Sequence, residues 1–213
     1  MAHDQLMDEL ANAFRSARLE YVRVNPDDAA LKDFIPQVVH DPVIQAMSSS
    51  MMLRPKTKKD FEDTLQWLSS SLLGVAICLP APDQSKDEAP KDDAGANHRT
   101  IIGFVCITTP KDSVAATHHR NAEIGISLAN KYQGQGYGRE ALNWMLDWGF
   151  KHAALHTISI LAASYNPRAL HLYESIGFVV EGRRRETIWQ NRKWYDLVEF
   201  GITETEWEKL RES

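Results

Sequence analysis

The chain has 213 residues, 43% hydrophobic and 25% charged, values that suit one globular domain with appendages. A formal net charge of −5 excludes a general nucleic-acid binder, which gathers Lys and Arg into a basic face to displace counterions. No run approaches the roughly 20 apolar residues that a membrane span needs, so no membrane partner is expected.

Met1–Leu10 carries Asp4, Asp8 and Glu9 and lacks the apolar core of a secretory signal. The two cysteines, Cys78 and Cys106, each lie inside a short apolar run. Together these features predict two buried thiols and a reducing, cytoplasmic location. Residues 1–17 read as an N-terminal helical extension. Arg18–Val24 reads as a strand, with Leu19, Tyr21, Val22 and Val24 supplying packing. Asn25-Pro26-Asp27-Asp28 predicts a helix start, with Asn25 as N-cap and Pro26 in the first turn. Leu31, Phe34, Ile35, Val38 and Val39 follow at helical spacing, and Pro36 predicts a kink or an early end. Thr57, with Asp60 three positions on, predicts another helix start whose buried face is Phe61, Leu65 and Leu68.

Leu72–Leu79 and Thr100–Thr108 are apolar, β-branched runs that read as neighbouring strands. Pro80–Arg99 between them has no large apolar residue and is rich in Pro, Asp, Lys and Ala. Such a segment buries too little surface to offset its ordering entropy, so a disordered hairpin insertion at about 80–99 is expected, with a domain linker as the alternative. Strand and helix then alternate: a strand at Ala122–Leu128, a helix at Arg139–His152, a strand at Thr157–Ala162 and a short helix at Pro167–Ser175. Phe178–Glu181 reads as a further strand. Arg184–Trp189 and Trp194–Ile202 bracket a hairpin at Gln190-Asn191-Arg192. The mixture predicts an α/β sheet within one domain spanning 18–208.

Tyr132–Ala141 (YQGQGYGREA) is the segment richest in chemistry. Gly134, Gly136 and Gly138 alternate between a strand and a helix, and glycine admits close approach and left-handed turns. A helix N-terminus leaves amide N–H groups unpaired and carries partial positive charge, so a phosphate or pyrophosphate is the expected guest. The spacing fits neither a P-loop nor a dinucleotide-binding G-x-G-x-x-G. His118-His119 lacks acids or cysteines at ligand spacing, and no metal is expected.

Gln133-x-x-Gly136-x-Gly138 resembles the coenzyme A loop of the GNAT N-acetyltransferases. Asn166-Pro167-Arg168-Ala169 through Tyr173 to Gly177-Phe178 resembles that family's N-x-x-A-x-x-x-Y-x-x-x-G-F segment, and Ala122-Glu123-Ile124-Gly125 its strand before the loop. Glu181-Gly182-Arg183, Trp194-Tyr195-Asp196 and Glu206-Trp207 are similar to the RimJ/RimL and spermidine-acetyltransferase branch. The resemblance spans about residues 18–208, with the insertion as its main departure.

The resemblance implies a GNAT fold, a mixed, mostly antiparallel sheet flanked by helices, and transfer of acetyl from acetyl-CoA to an amine by direct attack. It implies that Ile126, Ser127 and Leu128 pair with the pantetheine arm, and that Gln133, Gly134, Gln135, Gly136, Tyr137, Gly138 and Arg139 hold the pyrophosphate. It assigns Asn166 to the coenzyme's amide and hydroxyl groups. It makes Tyr173, also against the coenzyme, the general acid, with a core tyrosine as the alternative. It makes Glu123 the general base, with a structural acid beside Arg120 as the alternative. The acceptor is left open among a protein N-terminus, a polyamine, an amino sugar and another small amine. A homodimer is a further expectation, and a non-catalytic acyl-CoA-binding regulator is the competing function.

Overall fold

The computed structural model describes residues 2–80, 99–109 and 114–212. Residues 81–98 of the predicted insertion lie outside these. Its order is α1 (Ala2–Ala11), β1 (Glu20–Arg23), α2 (Ala29–Val39), α3 (Pro42–Ser48), α4 (Lys58–Ser70), β2 (Leu73–Leu79), β3 (Thr100–Thr108), β4 (Asn121–Leu128), α5 (Tyr137–Lys151), β5 (Thr157–Ala163), α6 (Pro167–Ile176), β6 (Val179–Gln190), β7 (Lys193–Thr203) and α7 (Glu204–Glu212). Short 3-10 segments precede β4 (Val114–His119) and follow it (Asn130–Tyr132).

The seven strands form one sheet in the order β1-β2-β3-β4-β5-β7-β6. Every pairing is antiparallel except β4 with β5. That parallel step is made by α5, which packs on one face as a crossover helix does. β2 and β3 pair as far as Leu79↔Thr100, so residues 80–99 connect two neighbouring strands of one sheet.

Period-2 alternation divides the sheet between two cores. Val75, Ile77, Val105, Ile107, Ile124, Ile158, Ile160, Phe200 and Ile202 face Leu142, Met145, Leu146 and Phe150 of α5, with Trp207 of α7. Ala76, Cys78, Phe104 and Cys106 face the other way, onto Leu31, Phe34, Ile35 and Val38 of α2 and Leu65 and Leu68 of α4. Both cysteines are free, buried thiols, and burial pushes the Cys78 thiol up to about 11. No helix among the described residues is long and apolar enough to cross a membrane.

Several boundaries differ from the sequence reading. Asn25 closes a turn by accepting from the Asp27 N–H, and Asp28 is the N-cap, accepting from Ala30 (2.8 Å) and Leu31 (3.3 Å). Pro36 does not end α2, which runs on to Val39 with His40 N–H reaching Pro36 O at 3.0 Å. Asp41-Pro42 starts a separate helix, α3, with the Asp41 carboxylate accepting from Val43 and Ile44. The strands expected at Phe178–Glu181 and Arg184–Trp189 are one strand, β6, whose register shifts at Val180/Gly182 and Arg184/Ile188. The hairpin forms as a two-residue loop, with Asn191 and Arg192 at φ 47° and 61° between the paired Gln190 and Lys193.

The Thr57 start forms a reciprocal capping box: Thr57 Oγ1 accepts from Asp60 N–H, and the Asp60 carboxylate accepts from Thr57 N–H at 2.8 Å. Thr57→Ala is expected to cost about 1 kcal/mol. A thermal melt would read this as a drop of about 2–4 °C.

Candidate active site

The glycine loop ends on α5 with Gly136 as its N-cap, at φ 85°, and Gly134 at φ 74°. These left-handed values favour glycine at both places. Because the turn is so formed, the first backbone bond into α5 is Glu140 N–H to Gly136 O, at 3.1 Å. The N–H groups of Gly136, Tyr137, Gly138 and Arg139 have no acceptor among the described residues. They make an anion seat of four amides at the positive end of a 15-residue helix.

Beside that seat the sheet opens. β4 and β5 share four residue pairs, Asn121↔Thr157 to Ile124↔Ile160, and then part. Ile126, Ser127 and Leu128 continue with partners in β3 alone, and Leu161, Ala162 and Ala163 with partners in β7 alone. Ile126, Ser127 and Leu128 are half-buried, and each strand offers at the parting a backbone edge that no other strand pairs, though Leu128 O takes Gln133 Nε2 and Ala163 O takes Asn166 N–H. Such an edge takes an extended, amide-bearing chain through main-chain hydrogen bonds.

Tyr173 and Glu123 lie on opposite faces of the sheet near this parting. Tyr173 is buried on the α5 side, with its ring edge-to-face on Phe200 at 5.7 Å, and Phe200 pairs with Ile160 at the last closed rung. Its hydroxyl has no hydrogen-bond partner among the described residues. Among the described residues no sealed side-chain polar atom is left unpartnered, so this hydroxyl is not fully sealed. Burial pushes the phenol up to about 12, which keeps it protonated at neutral pH.

Glu123 occupies the other face, where the edge of Trp67 lies against Gly125. Though exposed, Glu123 sits among enough protein mass that desolvation raises its carboxyl above the ordinary 4.5. The Arg184 guanidinium works against that rise and the Glu199 carboxylate adds to it. Arg184 and Glu199 are themselves ion-paired.

The remaining predicted residues divide between backbone and side-chain roles. Gln133 donates through Nε2 to Leu128 O at 2.9 Å and so staples the loop to the end of β4. Gln135 donates to Lys131 O at 2.7 Å. The Arg139 guanidinium turns away from the amides to Ser175, donating to its O (3.0 Å) and Oγ (2.6 Å), which ties α5 to α6. Asn166 caps α6 by accepting from Ala169 N–H and donates to Met47 O of α3 at 3.1 Å. The Tyr137 ring lies under the Arg18 guanidinium, 4.6 Å from centroid to Cζ. Arg18, Ser16 and Glu140, which the sequence reading did not select, join at this loop.

An acetyltransferase (GNAT) domain model matches residues 18–179. The chain is similar to the spermidine N(1)-acetyltransferase of Vibrio cholerae, 38% identical over 89 residues that cover 42% of this chain and 51% of that protein. It thus spans about half the length of the curated relatives it matches. A crystal structure of spermidine N-acetyltransferase from Vibrio cholerae in complex with CoA and spermine superposes with a TM-score of 0.69 at 22% identity, over 91% of this chain and 99% of that one. A GNAT-family acetyltransferase from Bacillus anthracis superposes at 0.67 and 19% identity, covering 90% and 98%. With an open β4–β5 edge, a glycine-shaped anion seat and a domain match across most of its length, the chain belongs to the GNAT acetyltransferase family.

Proposed function

We propose that the protein is an N-acetyltransferase that takes acetyl-CoA as cosubstrate and transfers its acetyl group directly to a primary amine. The observation that carries this reading is the parting of β4 from β5 beside four unpaired α5 amides, with a protonated phenol at its last closed rung. The amides suit the coenzyme's pyrophosphate. The free strand edges suit its amide-bearing arm, which aims the thioester between the two faces.

The amine nitrogen attacks the thioester carbonyl carbon. The C–S bond breaks, one amine proton leaves, and the coenzyme departs as thiolate. A lysine-like amine has a pKa near 10.4, so only a small fraction is neutral and reactive at pH 7. Glu123, on the acceptor face, takes the proton directly or through a water. Tyr173 serves the sulfur. A phenol near 12 is a weaker acid than an ordinary thiol of about 8.5, so its contribution is a hydrogen bond to the departing thiolate. The acceptor face carries Glu123 beside the Arg184–Glu199 ion pair, and protein N-termini, polyamines and amino sugars are the amine classes to compare.

Coenzyme A release across that amine panel, with mass detection of the added acetyl group, tests the reading. Acetyl-CoA binding without turnover on any class would replace it with a non-catalytic acyl-CoA-binding regulator. A second measurement isolates Glu123. Because its folded pKa is raised, its basic form appears only as pH climbs past that value, so kcat/KM gains an acidic limb with a midpoint above 4.5. Glu123→Gln is expected to remove this limb and lower the rate by about 10²-fold or more. Superimposable profiles for the two proteins would exclude Glu123 as the base.

A further inference from the structure

The segment before β1 is strapped along the outer side of α5. Glu9 pairs with Lys151 at the helix's far end. Trp144 donates from Nε1 to Ala13 O at 2.9 Å, and its ring stacks on Tyr21 at 3.7 Å and 8°. At the near end everything converges on Glu140, in the first turn. Ser16 Oγ and Arg18 N–H both donate to Glu140 Oε1 at 2.7 Å, and Arg18 Nε donates to Oε2 at 2.8 Å. Arg18 Nη1 also reaches Gln135 O at 3.1 Å, within the glycine loop, and its Cζ stands over Tyr137.

The charge balance at this spot gives the arrangement its meaning. Burial raises the Glu140 carboxyl, but the bonds from Ser16 and Arg18 more than reverse that, so it is held below 4.5 and ionised at neutral pH. A carboxylate there steadies an empty helix terminus but repels a second anion seated on the same amides. Arg18 answers both demands. Its guanidinium neutralises Glu140 and, through Gln135 O, fixes the loop that presents the amides.

We propose that Arg18 is a positioning residue for the coenzyme: paired with Glu140 and bonded to the glycine loop, it couples the segment before β1 to diphosphate affinity. This rests on the reading of that loop as the coenzyme A seat. The test is calorimetric titration of coenzyme A into the full chain and its variants, with steady-state kinetics alongside. Arg18→Ala weakens coenzyme A binding and raises the KM for acetyl-CoA at least tenfold, with a smaller fall in kcat. In that variant Glu140 stays ionised beside the seat, so the loss is largest at low salt. Arg18→Ala combined with Glu140→Gln recovers a substantial part of the affinity, because the uncompensated carboxylate is gone. Arg18→Lys, which keeps the charge without the fork, falls between wild type and Arg18→Ala.

Unchanged affinity in a folded Arg18→Ala protein overturns the proposal. So does a double variant that binds no better than Arg18→Ala. If the wild-type chain itself takes up no coenzyme A, the loop reading fails and the role of Arg18 goes with it. Binding by wild type with indifferent Arg18 variants fails the positioning role alone.

Discussion

Tyr173→Phe is expected to lower kcat by about 10²-fold while leaving the KM for acetyl-CoA within a factor of two or three. The phenyl ring keeps the contacts that hold this position, including the edge-to-face packing on Phe200, so the protein folds and the coenzyme still binds. Only the hydroxyl is removed, and it makes no hydrogen bond to the described residues whose loss would disturb the core. Because the phenol lies near 12, it remains a donor across the working pH range. The loss should therefore be nearly constant from pH 6 to 9, unlike that of Glu123→Gln. A fall in turnover shared equally by KM would point to a packing role, and undiminished turnover would remove Tyr173 from the chemistry.

Gly136→Val should have the largest effect on coenzyme binding, a loss of at least 10²-fold. At φ 85° a β-branched residue pays backbone strain of about 1–2 kcal/mol. A Cβ there would lie 3.1 Å from Arg18 Nη2, so the guanidinium must also move. Either response tilts the unpaired amides of Tyr137, Gly138 and Arg139. Calorimetry gives the affinity and a melt the strain. The informative pattern is a large loss of binding with a melting temperature only a few degrees lower. Retained affinity would mean that the amides at this helix mouth do not hold the diphosphate.

The site was legible where local chemistry leaves few choices. Gly134 and Gly136 stand at positive φ, and the alternation of glycines before a helix pointed to that turn. Thr57 and Asp60 meet within one helical turn, so their box could be read from spacing. Legibility failed where one local pattern serves two structures. Asn25-Pro26 and Asp41-Pro42 carry the same start chemistry, yet the first closes a turn and the second begins a helix. Asn166-Pro167 carries the same start chemistry, which the coenzyme contact implied by the resemblance left unread, and the Asn166 side chain caps α6 while reaching Met47. The loop motif says nothing of where the Arg139 side chain goes; it holds Ser175, a choice made by the neighbouring helix. Arg18 and Glu140 are 122 positions apart, beyond any periodicity or motif. The register shifts within β6 broke its alternation into what read as two strands.

The four rungs between β4 and β5 have a consequence for how the molecule coheres. Among the described residues they are the strand pairing that joins two antiparallel blocks, one ending at Leu128 and the other beginning at Thr157. A cosubstrate lying along both free edges would act as mortar between the blocks. Its affinity then adds to the folding free energy, by about 2.7 kcal/mol when it is present at a hundred times its dissociation constant. The lifetime of the native protein would rise and fall with the supply of the molecule it consumes.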